Sequence, residues 1–334
     1  MRLAGRPTIV IGAPRAGGLT FVLAFLLVLS VLVAAASGYR ALRPDETPHA
    51  RERNTSIELA DAYAVGGVNE LRAPIDAGAS AITANDVVAY YGSPRTPSMG
   101  VLGQHTPEEA VALLRERARA FDALNGERGV VPALHLVYGV AQPEAGSDGL
   151  HLRYVDDLTV RTYLDLARRN GFLLVLDLQI GHSTAIVETR KIERYLTEPD
   201  VALALDPEFA LSGTLKPGDA IGALDSSAIN EVQAYLAALA IEHGLPKKIL
   251  VVHQFQPEMI GNAARIERRE DVDLIIDMDG YGPADIKQVK YARFGAAPYA
   301  PYGGIKVFLE HDPAPMTEAE LLAIEPRPVL FVYQ

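Results

Sequence analysis

Cysteine is absent from this 334-residue chain, and so is tryptophan. Without cysteine there is no disulfide, no zinc–thiolate centre, no thiol nucleophile and no lipid-bearing cysteine. Without tryptophan, any stacking on a flat ligand falls to tyrosine and phenylalanine. Basic charge is also short: 31 Lys and Arg stand against 42 Asp and Glu, for a formal charge of -11. A nucleic-acid partner needs a basic footprint to replace its counterions, and this chain has none. Four motifs are missing as well. No glycine-rich phosphate loop follows the first strand-like run, and there is no GxSxG, no HExxH and no HxH at that run. These absences remove the usual signatures of dinucleotide folds, serine hydrolases and zinc hydrolases. No cofactor is assigned from the sequence, and no metal.

A long apolar run is present. Residues 1–18 carry Arg2, Arg6 and Arg15, and LTFVLAFLLVLSVLVAAASG follows over 19–38 without a charge. Its length matches the roughly 20 residues that cross a hydrocarbon core. The basic flank predicts a cytoplasmic N-terminus with the remainder outside. The small residues at its close also fit a signal-peptide cleavage site. The expectation is therefore a single-pass membrane anchor, or a secreted protein if the segment is cleaved. Residues 39–83 read as a polar tether, rich in Arg and Pro at first, and then a weakly patterned preface to the domain at 84–334.

Within that domain, apolar strand-like runs alternate with amphipathic helical patterns. The runs are VVAYYG (87–92), VPALHLVYG (131–139), FLLVLDLQ (172–179), VALALDPEF (201–209), ILVVHQF (249–255), VDLIIDMDG (272–280), IKVFLEHD (305–312) and PVLFVYQ (328–334). Branched runs alternating with helices indicate a parallel sheet, and eight in about 250 residues match an α/β (β/α)8 TIM-type barrel. An open doubly wound sheet is the competing arrangement. No helical pattern follows the eighth run, so residues 57–83 are expected to cover that part of the barrel wall. LRERARA (114–120) and ARIERRED (264–271) read as charged outer faces of helices. GAAPYAPYGG (295–304) reads as a connection at the barrel bottom.

Side chains alternate faces along a strand, and the runs agree on what that alternation hides. In VALALDPEF, Val201, Leu203 and Leu205 share one face while Asp206 and Glu208 share the other. The same parity turns Asp177 and Gln179, Asp277 and Asp279, and Phe308 and Glu310 inward near the carboxyl ends, with Lys306 inward at the amino end of the seventh run and His135 inward on the second. Barrel enzymes keep their chemistry at that end. The first and fifth runs are apolar on both faces, so Tyr90, Tyr91, His253 and Gln254 are placed only near the mouth. Asp206 followed by Pro207 also fits a helix N-cap.

Inward carboxylates raise one another's pKa, and two with separated pKa values supply an acid and a base or nucleophile. In this layout the domain resembles the (β/α)8-barrel glycoside hydrolases, in particular the large clan with one catalytic Glu ending strand four and another ending strand seven. The resemblance implies Glu208 as acid/base and Glu310 as nucleophile, with Asp206, Asp177 and Tyr281 in support. Substrate contacts would come from Tyr90, Tyr91, His135, Tyr138, Gln179, His253, Gln254, Asp277, Asp279, Tyr281 and Tyr333. The substrate would be a polysaccharide or cell-wall glycan. That clan places Asn before its strand-four Glu, where this chain has Pro207. Asp206 and Glu208 also resemble the DxE ending of chitinase-type barrels, in which one Glu acts with help from the substrate and the Asp orients it. Two alternatives stand beside this reading. One is a metal-dependent hydrolase or phosphoesterase using Asp with His135, His182, His253 or His311. The other is a non-catalytic glycan-binding barrel.

Overall fold

The structure, a computed structural model, describes residues 75–334. The apolar run, the tether and the preface as far as residue 74 lie outside the described residues. Among the described residues no helix is long and apolar enough to cross a membrane.

Eight strands form the barrel: β1 (Asn85–Gly92), β2 (Gly129–Ala141), β3 (Leu173–Gly181), β4 (Val201–Ala210), β5 (Lys248–Gln254), β6 (Val272–Met278), β7 (Tyr302–Val307) and β8 (Leu330–Tyr333). Each pairs in parallel with its neighbours in chain order, and β1 pairs with both β2 and β8. The sheet is therefore closed, which excludes the open doubly wound arrangement. A short strand, Leu152–Tyr154, extends β2 as an antiparallel edge.

The connecting helices are α1 (Val101–Gln104), α2 (Pro107–Asp122), α3 (Asp157–Arg169), α4 (Ala185–Lys191), α5 (Glu193–Leu196), α6 (Ser226–His243), α7 (Ala284–Arg293) and α8 (Glu318–Leu322). Their ends carry the expected chemistry. Thr106 and Glu109 form a capping box on α2, Asp225 caps α6, and Gly244 ends α6 in the left-handed conformation. The charged stretch 114–120 lies on α2, with Leu114 and Ala118 turned inward.

The stretch 264–271 departs from expectation. It is not a helix: a 3-10 turn at Ala263–Arg265 gives way to irregular chain. After Ile266 the segment has no apolar residue to bury until β6, and α6 holds its backbone instead. Asn230 Oδ1 accepts from Glu267 N at 2.9 Å, and Gln233 Nε2 donates to Glu267 O at 3.1 Å. These side-chain bonds satisfy peptide groups that a helix would have paired internally.

Apolar residues separate into two layers. Val201, Leu203 and Leu205 of β4, with Leu174, Leu176 and Leu178 of β3, pack outward against the helices. Val131, Ala133, Val175, Ala202, Ala204, Val251, Ile275 and Val332 fill the barrel interior. Ala81 and Ile82 belong to that interior set, with Ile75 packed against it. Residues 75–83 therefore plug the amino-terminal end of the barrel rather than covering its wall. Their anchors are polar: Ser80 Oγ donates to Asp273 Oδ2 at 2.6 Å, and Lys247 N donates to Ala79 O at 3.1 Å.

Beside this plug, Asp86 at the start of β1 is fully buried. Its carboxylate accepts from Arg128 Nε at 2.7 Å, from Asn125 Nδ2 at 3.2 Å and from Arg327 Nη2. Arg128 also donates to the carbonyls of Ile82, Thr83 and Asn85. One charge cluster thus joins the plug, the first strand and the chain entering β8.

Candidate active site

Where a strand persists to its carboxyl end, parity delivers its polar side chains to the barrel axis. β4 runs to Ala210 even though it contains Pro207. Pro207 removes a ladder donor, and it falls at a bulge where pairing with β3 jumps from Gln179–Asp206 to Gly181–Ala210. The helix-cap reading of Asp206 is thereby overturned, because no helix starts there. Asp206 Oδ1 instead accepts from Glu208 N at 3.0 Å, fixing the turn of chain that carries Glu208.

Below this pair lies a buried junction of histidines and carboxylates. His135 Nε2 and His253 Nε2 each stand 3.1 Å from Asp177 Oδ2. His253 Nδ1 faces Asp277 Oδ2 at 3.1 Å and Asp279 Oδ2 at 3.3 Å. Asp279 is joined to Lys306 Nζ at 3.2 Å, and that ammonium stands 3.6 Å from the centre of the Tyr91 ring. The edge of Tyr91 in turn meets His135, with ring centres 5.0 Å apart. Room for Asp277 depends on β7 being bare: a Cβ on Gly304 would lie 2.8 Å from Asp277 Oδ1.

Charge and burial separate these groups. Burial pushes the Asp206 carboxyl up to about 7, with the Asp177 and Asp279 charges adding to the shift and His253 opposing it. Burial likewise raises Glu208 to about 8, reinforced by Asp206 and Asp279. For Asp177 burial again favours the neutral acid, but the His253 charge and the bonds from both histidines outweigh it, leaving Asp177 well below the usual carboxylate range. Burial works against charge on His253 too, yet the surrounding carboxylates hold it protonated well above an ordinary histidine. At His135 burial wins and the pKa falls. The junction therefore sets Glu208, largely neutral at pH 7, and Asp206, which titrates near pH 7, beside Asp177, which stays ionised.

The raised pair makes stability depend on pH. The folded chain holds protons on Asp206 and Glu208 that the unfolded chain releases above about pH 4. Their contribution is therefore complete below about 4 and is lost as the pH climbs through 7 to 8. Chemical denaturation of chelator-treated protein should show stability falling by a few kcal/mol, on the order of magnitude of such shifts, between pH 5 and pH 8.5. The Asp206→Asn, Glu208→Gln double variant should show a flatter profile over that range. An identical fall in the double variant would mean that other groups set the dependence.

Eight of the residues expected at the site meet here: Tyr91, His135, Asp177, Asp206, Glu208, His253, Asp277 and Asp279. Glu310 does not join them. β7 ends at Val307, and Glu310 is exposed in the turn that follows, accepting from Gln104 Nε2 at 3.0 Å. Tyr90, Tyr138 and Tyr333 pack in the outer layer, Tyr90 and Tyr333 edge to face with ring centres 6.2 Å apart. Gln254 is buried and accepts from Tyr299 Oη at 2.9 Å, while the buried Gln179 accepts from Ala141 N at 2.8 Å. His182 lies apart from the junction, donating to Leu215 O.

Tyr281 is exposed at the rim, in an aromatic group with Phe308 and His311 at ring separations of 6.1 and 6.5 Å. A buried ion pair steadies that rim. Lys287 Nζ meets Asp312 Oδ2 at 2.9 Å, and Asp312 also accepts from Gly282 N and Phe308 N. Lys306 and Phe308 were not among the expected site residues, although inward parity already marked both; His311 was expected only as a ligand in the metal-dependent reading.

The fold and this mouth define a closed parallel barrel with a carboxylate- and histidine-lined centre. No protein-family model matches the chain, and no curated protein matches it. Among solved structures it is similar to a hyperthermophilic endo-β-1,4-glucanase in complex with substrate, at 9% identity, TM-score 0.39, over 75% of this chain and 89% of that one. It is also similar to a GH138 enzyme targeting pectin rhamnogalacturonan II, at 11% identity, TM-score 0.35, over 75% of this chain and 34% of that one.

Proposed function

We propose that the barrel is a glycoside hydrolase-like enzyme acting on a polysaccharide or cell-wall glycan, with Glu208 as proton donor. The observation that carries this is the Asp206–Pro207–Glu208 end of β4. Asp206 is buried on the inner face, and Glu208 above it is partly open to the mouth, with its carboxyl raised to about 8. A carboxyl that is neutral at pH 7 and reaches solvent can protonate a leaving oxygen as the glycosidic bond breaks. Asp206, bonded to the Glu208 amide, orients the donor, and Asp279 supplies negative charge across the mouth.

In this proposal the chain follows the DxE arrangement, with one acting Glu, and Glu310 takes no part in bond cleavage. The exposed Tyr281 and the half-buried Phe308 beside it lie on the path by which a sugar chain would enter. The charge-free run at 19–38 supports a protein held at the outer face of a membrane, or secreted if that run is removed.

The test uses the purified full chain and its Glu208→Gln variant on a panel of polysaccharides and cell-wall fragments, including acetamido sugars. The expected result is new reducing ends from the wild type and their loss in the variant. No release from any glycan by the wild type, or equal release by both proteins, would reject the proposal. A second reading, metal-assisted hydrolysis, is favoured by the His135, Asp177 and His253 junction alone.

A further inference from the structure

We infer that His135, Asp177 and His253 form a binding site for one divalent transition-metal ion, zinc or manganese in class, beneath the acid pair. The inference rests on ligand geometry and charge, independently of the role assigned to Glu208.

The first support is spacing. Two ligand atoms that share an ion at about 2.0–2.2 Å stand roughly 3.0–3.5 Å apart at tetrahedral or octahedral angles. His135 Nε2 and His253 Nε2 both lie 3.1 Å from Asp177 Oδ2, and the three ligand atoms all fall within 4.8 Å of one another. Two imidazoles with one carboxylate form a donor set suited to zinc, manganese or iron.

The second support is the layer behind the ligands. His253 Nδ1 faces Asp277 Oδ2 at 3.1 Å, so a ring proton held there turns the Nε2 lone pair toward the ion. That carboxylate–histidine arrangement is the usual backing of a metal-bound imidazole.

The third support is unspent bonding capacity. Asp177 is fully buried, and among the described residues its Oδ1 has no hydrogen-bond partner, although Oδ2 of the same group faces both histidines. A buried carboxylate oxygen left without a donor is destabilising, and a cation beside it removes that cost. Charge points the same way. The carboxylates of Asp177, Asp277 and Asp279 all face His253, Lys306 reaches Asp279, and an ion at the junction adds positive charge among them. Binding would replace the ring protons now shared with Asp177, so no oxidant or second reactant is required.

The test incubates chelator-stripped full-length protein with zinc or manganese, desalts it, and measures bound metal and the thermal midpoint. Expected is about one equivalent of ion and, at about one hundred times the dissociation constant, a midpoint raised by roughly 5 °C or more. His135→Ala and His253→Ala should each hold less than about a tenth of an equivalent. Glu208→Gln should bind as the wild type does, which separates this site from the proton donor. So should His182→Ala, which breaks the partly exposed His151–His182 pair, whose ring centres are 4.5 Å apart. If the buried histidine variants fail to fold, pulsed electron paramagnetic resonance of the manganese-loaded wild type decides the matter by coupling to two imidazole nitrogens. Metal-free wild type with an unchanged midpoint overturns the inference. So does metal retained by both buried histidine variants, or a spectrum without imidazole coupling.

Discussion

Glu208→Gln should lower kcat on any glycan that the wild type cleaves by roughly 10²- to 10⁴-fold, the usual range for loss of a positioned general acid. The amide keeps the shape of the side chain and cannot donate a carboxyl proton. Folding should survive, because Glu208 is half-buried and its backbone amide keeps its bond to Asp206. Glu310→Gln is the informative contrast. Its side chain is exposed and bonded to Gln104 of α1, so turnover should change by less than about threefold, as expected of a surface substitution. A nucleophile would give the opposite result, with Glu310→Gln as damaging as Glu208→Gln. A substrate with an activated leaving group sharpens the test. Such a group needs little protonation, so its cleavage should be much less sensitive to Glu208→Gln.

The second large effect concerns the barrel bottom. Asp86 carries a charge at 0% exposure, whereas its two arginines keep roughly a quarter of their side-chain surface in solvent. Removing both partners by Arg128→Met and Arg327→Met should therefore cost roughly 3–5 kcal/mol, because the carboxylate is left buried and uncompensated. Asp86→Asn should cost less, since the freed guanidinium groups can turn toward water and Asn keeps an acceptor for Asn125. Urea midpoints of the variants, at unchanged slope, give the comparison. If Asp86→Asn proved the more damaging, the charge cluster would matter through its hydrogen bonds rather than through buried charge. The plug formed by residues 75–83 should loosen with the same variants, because Arg128 also holds the carbonyls of Ile82 and Thr83.

The parallel strands and their inward faces are legible in the sequence, because each strand repeats one simple fact: successive side chains face opposite sides. Wherever one face is continuously apolar, as in β3, β4 and β6, the other face is determined, and Asp177, Asp206, Glu208, Asp277 and Asp279 all follow from it. Parity failed in two ways. β1 and β5 are apolar on both faces, so nothing in their sequences distinguished the inward Tyr91 and His253 from the outward Tyr90 and Gln254. Parity also lasts only as long as the strand does. β4 stays extended through Pro207 to Ala210 and carries Glu208 to the mouth, whereas β7 stops at Val307 and the chain turns away before Glu310.

Composition and periodicity therefore determined the alternation of eight parallel strands with helices and the acidic character of their carboxyl ends, since both depend on local backbone geometry; the pairing of β1 with β8 excluded the open sheet. The meeting of His135, Asp177 and His253 was decided only by closure of the barrel. These residues are separated by 42 and 76 positions along the chain, and no local pattern specifies that one carboxylate oxygen will face both rings.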